Sequence, residues 1–95
     1  MSPAVTQNLP SQLKPRCAGW PVFSATFDEL LEQVSDCSDG EVLVGRLSPP
    51  RHTAYLVDRA RQRLIRCVQD QPMRVMLRRK LTAHANVRLL ALEAA

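Results

Sequence analysis

Apolar residues recur at helical spacing after the first quarter of the chain, and this is its clearest pattern. Four large side chains stand at positions i, i+3, i+4 and i+7, on one face of a helix: Phe27, Leu30, Leu31 and Val34. Thr26 precedes this stripe and Glu29 follows Thr26 by three residues, as in a capping box. The pattern predicts a helix over about 27–35 and then a polar loop ending at Gly40, where a positive φ is available.

A short β-branched run follows this loop. The sequence Val-Leu-Val at 42–44 lies between turn residues on both sides, which predicts a strand over 41–47. Gly45 weakens the interior of such a strand, so its presence indicates a bulge or a close backbone approach.

Residues 51–70 fit two different structures. At about 100° per residue a helix here would be polar on one side and apolar on the other, the apolar side comprising Leu56, Val57, Ala60, Leu64, Cys67 and Val68. If residues 51–70 form a hairpin, strands over 52–57 and 63–68 flank a turn at 58–62, and this turn lacks the usual glycine. The clean segregation favours the helix, and the hairpin stays open as the alternative.

The C-terminal part predicts two strands. Apolar and basic residues alternate over 73–81, which is typical of a strand with one basic face. The segment 87–92 is apolar and is predicted to be the last strand, with a helix as the alternative because leucine and alanine favour helices. Its edge would be open to pairing with a second copy of the chain.

These elements predict a small α+β domain. Prolines between Pro3 and Pro21 interrupt regular structure, so residues 1–15 are interpreted as a flexible tail and residues 16–95 as one domain. The expected order is tail-α-β-α-β-β, with the helices on one face of the sheet. If residues 51–70 form the hairpin, the alternative is one helix followed by a five-strand small barrel.

Charge changes this picture because it is uneven along the chain. The 95 residues carry 13 basic and 9 acidic side chains, a net charge of +4, and the basic ones are mostly arginine. Residues 1–50 carry a net charge of −3 and residues 51–95 a net charge of +7. This asymmetry indicates a basic face for nucleic acid or an acidic partner, or two halves that complement each other within the fold or between copies.

Several classes of protein are disfavoured by what the sequence lacks. The longest apolar run is far shorter than the roughly 20 residues that cross a bilayer, and no secretory signal begins the chain, so we expect a cytoplasmic protein without membrane contact. Its three cysteines fit neither a disulfide framework nor a zinc motif, and we expect buried thiols. No glycine-rich nucleotide motif occurs, so no cofactor is expected.

The sequence favours a non-enzymatic interaction or regulatory module that binds a protein partner or itself. A core of this size rarely supplies more than about 3–5 kcal/mol, and homo-oligomerisation is a common remedy. Three of the four aromatic residues lie between Trp20 and Phe27. Trp20 and Phe23 are the predicted partner-binding residues, since large rings are frequent anchors at interfaces.

Two alternatives use other residues. A nucleic-acid-binding regulator would place an arginine-rich face on phosphates, using Arg59, Arg63, Arg66, Arg74, Arg78, Arg79 and Lys80. A small enzyme or accessory subunit, the weaker alternative, would use His52 or His84 as a general base.

Overall fold

Two helices and six strands form the part of the chain that the structure, a computed structural model, describes: residues 4–5, 9–48, 51–83 and 86–92. The strands are β1 (Ala4–Val5), β2 (Val22–Ser24), β3 (Gly40–Ser48), β4 (Arg51–Asp58), β5 (Arg63–Gln69) and β6 (Val87–Ala91). The helices are α1 (Phe27–Asp36) and α2 (Arg74–Leu81). The result is a mixed α+β domain.

The strands form one sheet in the order β1-β2-β5-β4-β3-β6. β2, β5, β3 and β6 run in one direction, and β1 and β4 run against them. Each helix therefore connects two parallel strands, α1 from β2 to β3 and α2 from β5 to β6. β1 and β6 occupy the two edges, so the sheet is open and the five-strand barrel is not formed.

Each face of the sheet carries its own hydrophobic core, because successive side chains of a strand point to opposite faces. Val42 and Val44 of β3 pack with both helices, whereas Leu43 between them packs on the other face. That other face is covered by residues 9–20, which contribute the fully buried Leu13 and Cys17. Leu13 comes from the segment interpreted as a tail.

The predicted capping box of α1 is present. The Thr26 hydroxyl accepts a hydrogen bond from the Glu29 backbone N–H at 3.2 Å, and the Thr26 N–H donates to Glu29 Oε1 at 2.9 Å. Leu30 and Val34 are buried, as the stripe predicts. Local signals alone were sufficient here, since every group involved lies within one turn.

The helix predicted over 51–70 is wrong: the segment is the hairpin of β4 and β5. β4 is buried on both faces, from Thr53 to Asp58, because helices cover one side and the N-terminal segment the other. A strand covered on both sides shows no alternation, so its apolar residues also fitted a helix. The turn uses Gln62 at a φ of 52° where a glycine would be usual.

The strand predicted over 73–81 is also wrong, because the segment forms α2. Met73, Leu77 and Leu81 are buried, and their spacing of four residues suits a helix as well as an alternating strand. Val75 separates the two structures: a strand would bury it with the others, but it is 63% exposed. The predicted order tail-α-β-α-β-β is therefore wrong at two elements. Its second helix is the hairpin of β4 and β5, and the strand predicted after it is α2.

The other predicted strands are confirmed as β3 and β6. Gly45 lies at a close approach, since a Cβ there would stand 2.9 Å from both Cβ and O of Leu92. The bulge falls instead between Arg46 and Ser48. Gly40 is the first residue of β3 and does not have a positive φ. Neither described helix is long and apolar enough to cross a membrane.

Candidate functional site

The two aromatic residues predicted to bind a partner lie on different faces of the sheet. Phe23 of β2 is half-buried and packs against the helix-side core. Trp20 is half-buried and packs against the core of the opposite face. The fold therefore does not combine these two rings into one surface, and their role in binding a partner remains a prediction.

Arg59, one residue of the predicted arginine-rich face, forms an ion pair with a buried carboxylate, Glu41. The Glu41 side chain is 2% exposed and lies among three guanidinium groups. Arg16 contacts Glu41 Oε1, while Arg59 and Arg88 lie 3.4 and 3.6 Å from Oε2. Burying a carboxylate is costly unless cations compensate it, so Arg59 serves the fold here.

Asp39 holds Arg59 from the other side. Asp39 Oδ1 accepts from Arg59 Nε at 3.2 Å and from Nη2 at 2.8 Å. The guanidinium lowers the pKa of the exposed Asp39 carboxyl, because this hydrogen bonding favours its charged form.

A second buried carboxylate, Asp58, engages Arg63 in the same way. Arg63 Nε lies 3.3 Å from Asp58 Oδ2, and the Arg61 backbone N–H donates to Oδ1 at 3.3 Å. Arg63 also donates to Gln33 of α1 and so ties the hairpin to the helix. Arg66 stands elsewhere, half-buried on β5 opposite Tyr55 of β4.

The four remaining cations of the predicted set lie together on α2. With Met73, Leu77 and Leu81 directed inward, the helical period turns four basic side chains and two apolar ones away from the core. We call this the basic face of α2: Arg74, Val75, Met76, Arg78, Arg79 and Lys80, all exposed. Its cations make no ion pair among the described residues. Val75 and Met76 are the large hydrophobic side chains exposed in this part of the chain.

Helix α1, which lies beside α2, carries a row of negative charges. Asp28, Glu32 and Asp36 are exposed and follow one another at intervals of four residues, so they form a row along the outer side of the helix. We call this row the acidic face of α1. α1 and α2 contact each other on the same face of the sheet. The charge difference between the two halves of the sequence therefore reappears as one layer with an acidic and a basic side.

A cavity of about 390 Å³ opens beside the first turn of α2. Arg46 and His52 stand opposite each other on β3 and β4, and Arg74 reaches the cavity from α2. We call it the basic cavity; its other lining residues are Val44, Gly45, Pro72, Met73 and Leu92. His84, the other histidine considered for catalysis, lies outside the described residues.

Sequence reasoning missed the buried carboxylates and Arg46. Glu41 and Asp58 stand at strand ends, where acidic residues are usually exposed, and no local pattern marks them as buried. Arg46 meets His52 only through strand pairing. The three cysteines are buried and unpaired, Cys17 in one core and Cys37 and Cys67 in the other. Burial raises the pKa of each thiol.

Comparisons of the chain with protein-family models, curated proteins and solved structures found no match. Within the described ranges, no group of three or more His, Cys, Asp or Glu side chains is placed to hold a metal ion.

Proposed function

We propose that this chain is a non-enzymatic interaction module that associates with a second copy of itself through its helical layer. One observation carries the proposal: the basic face of α2 holds four cations without carboxylate partners among the described residues, together with exposed Val75 and Met76. Apolar side chains ringed by unpaired charge are typical of a protein interface.

The acidic face of α1 favours a second copy of the chain as the partner, because it offers negative charges to the basic face of α2. Its carboxylates span nine residues, from Asp28 to Asp36, or about 12 Å of helix. The cations of α2 span seven residues, from Arg74 to Lys80, or about 9 Å. The two rows have similar lengths and opposite charges, so they complement each other when one copy faces another.

The direction of the helices selects one symmetry for this dimer. α1 and α2 run the same way across the sheet, because both connect parallel strands in the same direction. A two-fold axis along the helices places α1 of each copy over α2 of the other. An axis across the helices would stack like charges, which costs several kcal/mol.

The nucleic-acid alternative has less support. Of its seven predicted residues, Arg59 and Arg63 pair with buried carboxylates, and Arg66 stands apart from α2. The remaining four lie on one short helix beside the acidic face of α1, whose carboxylates would repel an extended nucleic-acid backbone.

Charge reversal tests the proposal. In analytical ultracentrifugation at about 0.1 M salt, the unmodified chain should be a dimer that weakens toward about 1 M salt, because ions screen the contacts. Arg78→Glu with Arg79→Glu, and separately Glu32→Lys with Asp36→Lys, should each raise the dimer Kd at least about a hundredfold. Mixing the two variants should restore a dimer, since the swapped charges again complement each other.

A matched control keeps the interpretation specific. Lys14→Glu with Arg51→Glu lowers net charge by the same amount as Arg78→Glu with Arg79→Glu, at exposed positions outside both helices. This variant should dimerise like the unmodified chain, and circular dichroism should confirm that every variant is folded. A monomeric unmodified chain, or a dimer that the reversals leave intact, would refute the proposal. Retention on an oligonucleotide column lost with Arg78 and Arg79 would favour the nucleic-acid alternative.

A further inference from the structure

The basic cavity supports a separate inference that does not depend on the dimer. We propose that it binds the phosphate group of a small phosphomonoester. The proposal rests on the two arginines and the histidine that line the cavity, on the absence of an acidic side chain in its described lining, and on its size.

Positive charge is concentrated there without internal compensation. Arg46, His52 and Arg74 line the cavity, and none of its lining residues in the described part of the chain is an aspartate or glutamate. None of these three side chains makes an ion pair among the described residues. This differs from the surroundings of Glu41, where a buried carboxylate already occupies the guanidinium groups. An anion entering the basic cavity would supply the missing negative charge.

These three side chains converge because three elements meet at this point. Arg46 and His52 are cross-strand partners, and the bulge after Arg46 ends the regular pairing of β3 with β4. Arg74 is the first residue of α2, and its guanidinium donates to the Val44 carbonyl at 3.4 Å, which holds it against the middle of β3. Two guanidinium forks on one cavity favour an anion with several equivalent oxygens, as phosphate has.

The first turn of α2 adds to the same potential. Met73 makes no side-chain capping bond, and the turn contains no acidic residue. Backbone N–H groups at such a helix start remain free to donate, and they favour negative charge. They strengthen the effect of the three side chains, which carry the assignment.

The volume indicates a compact ligand. About 390 Å³ lies near the lower end of the range of small-molecule pockets, roughly 300–1,000 Å³. Met73 and Leu92 give the cavity apolar wall beside its cations. A small monoester fits both features: its dianionic phosphate faces the cations and its organic part contacts the apolar wall.

Backbone amide NMR tests this assignment with inorganic phosphate and phenyl phosphate as probes, at ionic strength held constant with sodium chloride. Both probes should give saturable shifts at the cavity, around Gly45 and Met73, and phenyl phosphate should bind more tightly. Arg46→Gln and His52→Gln should each weaken binding, Arg46→Gln by at least about tenfold, because a charge-assisted contact is lost. Arg51→Gln, an exposed arginine of the same hairpin outside the lining, should bind as the unmodified chain does.

Three results would overturn the proposal. Shifts that never saturate, or that centre on Arg78 to Lys80, would place phosphate on the surface instead of in the cavity. An Arg46→Gln variant with unchanged affinity for phosphate would show that this arginine does not bind the anion. Equal binding of dimethyl phosphate, a monoanionic diester, would refute the monoester assignment. The Arg78→Glu, Arg79→Glu variant should retain phosphate binding, so loss of the dimer and loss of this site are separable.

Discussion

At the residue scale, two buried carboxylates determine which arginines remain available to contact a binding partner. Glu41 and Asp58 are each about 1% exposed, and each lies against more than one guanidinium group. Pairing lowers the cost of burying these charges and also neutralises Arg59 and Arg63. The cations left without partners in the described structure therefore concentrate on α2 and around the basic cavity.

Gly40 is a second position where one residue matters. A Cβ at Gly40 would stand 2.4 Å from the Val57 carbonyl oxygen and 2.8 Å from Cys37 Sγ. The oxygen belongs to the paired strand β4 and cannot yield easily, so Gly40→Ala should cost at least about 2 kcal/mol of unfolding free energy in urea titrations.

Gly19→Ala provides the comparison for this prediction. Gly19 has open space around its Cα but a φ of 81°, so the substitution should cost only about 1 kcal/mol through backbone strain. If Gly19→Ala proved the more damaging change, steric crowding at Gly40 would be the wrong explanation.

At the scale of elements, α1 and the β4–β5 hairpin show how differently helices and turns are encoded. α1 carries its own start signal in Thr26 and Glu29. The hairpin turn has no comparable signal, because Gln62 adopts a φ of 52° without being a glycine. Tertiary pairing of β4 with β5 imposes that conformation against the local preference.

This strain predicts the effect of changing Gln62. Gln62→Gly should raise the free energy of unfolding by about 0.5 kcal/mol, since relief of strain slightly exceeds the entropy that glycine adds to the unfolded chain. Gln62→Val should lower it by about 1 kcal/mol, because β-branched residues tolerate positive φ poorly. Urea titration of both variants measures these changes, and a Gly variant less stable than the Val variant would contradict the account.

At the scale of the whole molecule, both cores contain groups that must stay uncharged. Burial is the largest cause that raises the pKa of Cys17, Cys37, Cys67 and Tyr55. A raised pKa in the folded state means that the neutral form contributes stability at neutral pH. This contribution is lost as pH rises through the ordinary pKa toward the folded one.

We therefore expect the Tm to fall between pH 7 and about pH 10, the range in which unfolded thiols begin to ionise. Cys67→Ala should show a shallower fall, because one buried thiol no longer ionises on unfolding. Differential scanning calorimetry across this range provides the measurement. A Tm that stays constant up to about pH 10 would show that thiol burial does not govern alkaline stability.

Several elements of the fold follow from signals that are local in the sequence. The capping box and apolar stripe of α1, the β-branched run of β3 and the apolar segment of β6 each specify their structure through neighbours a few residues away. The partition of charge between the two halves was also readable, and it survives as the acidic face of α1 and the basic face of α2.

The rest of the fold depends on contacts between residues far apart in the sequence, which no local pattern reveals. Residues 51–58 and 63–69 form strands, and the covering of both faces of the sheet removes the alternation that would identify them. The positions of β3 and β4 in the sheet bury Glu41 and Asp58. These carboxylates pair with Arg59 and Arg63, two of the arginines predicted to bind nucleic acid. The basic cavity joins residues of β3, β4, α2 and the end of β6, and no spacing along the chain indicates that they meet.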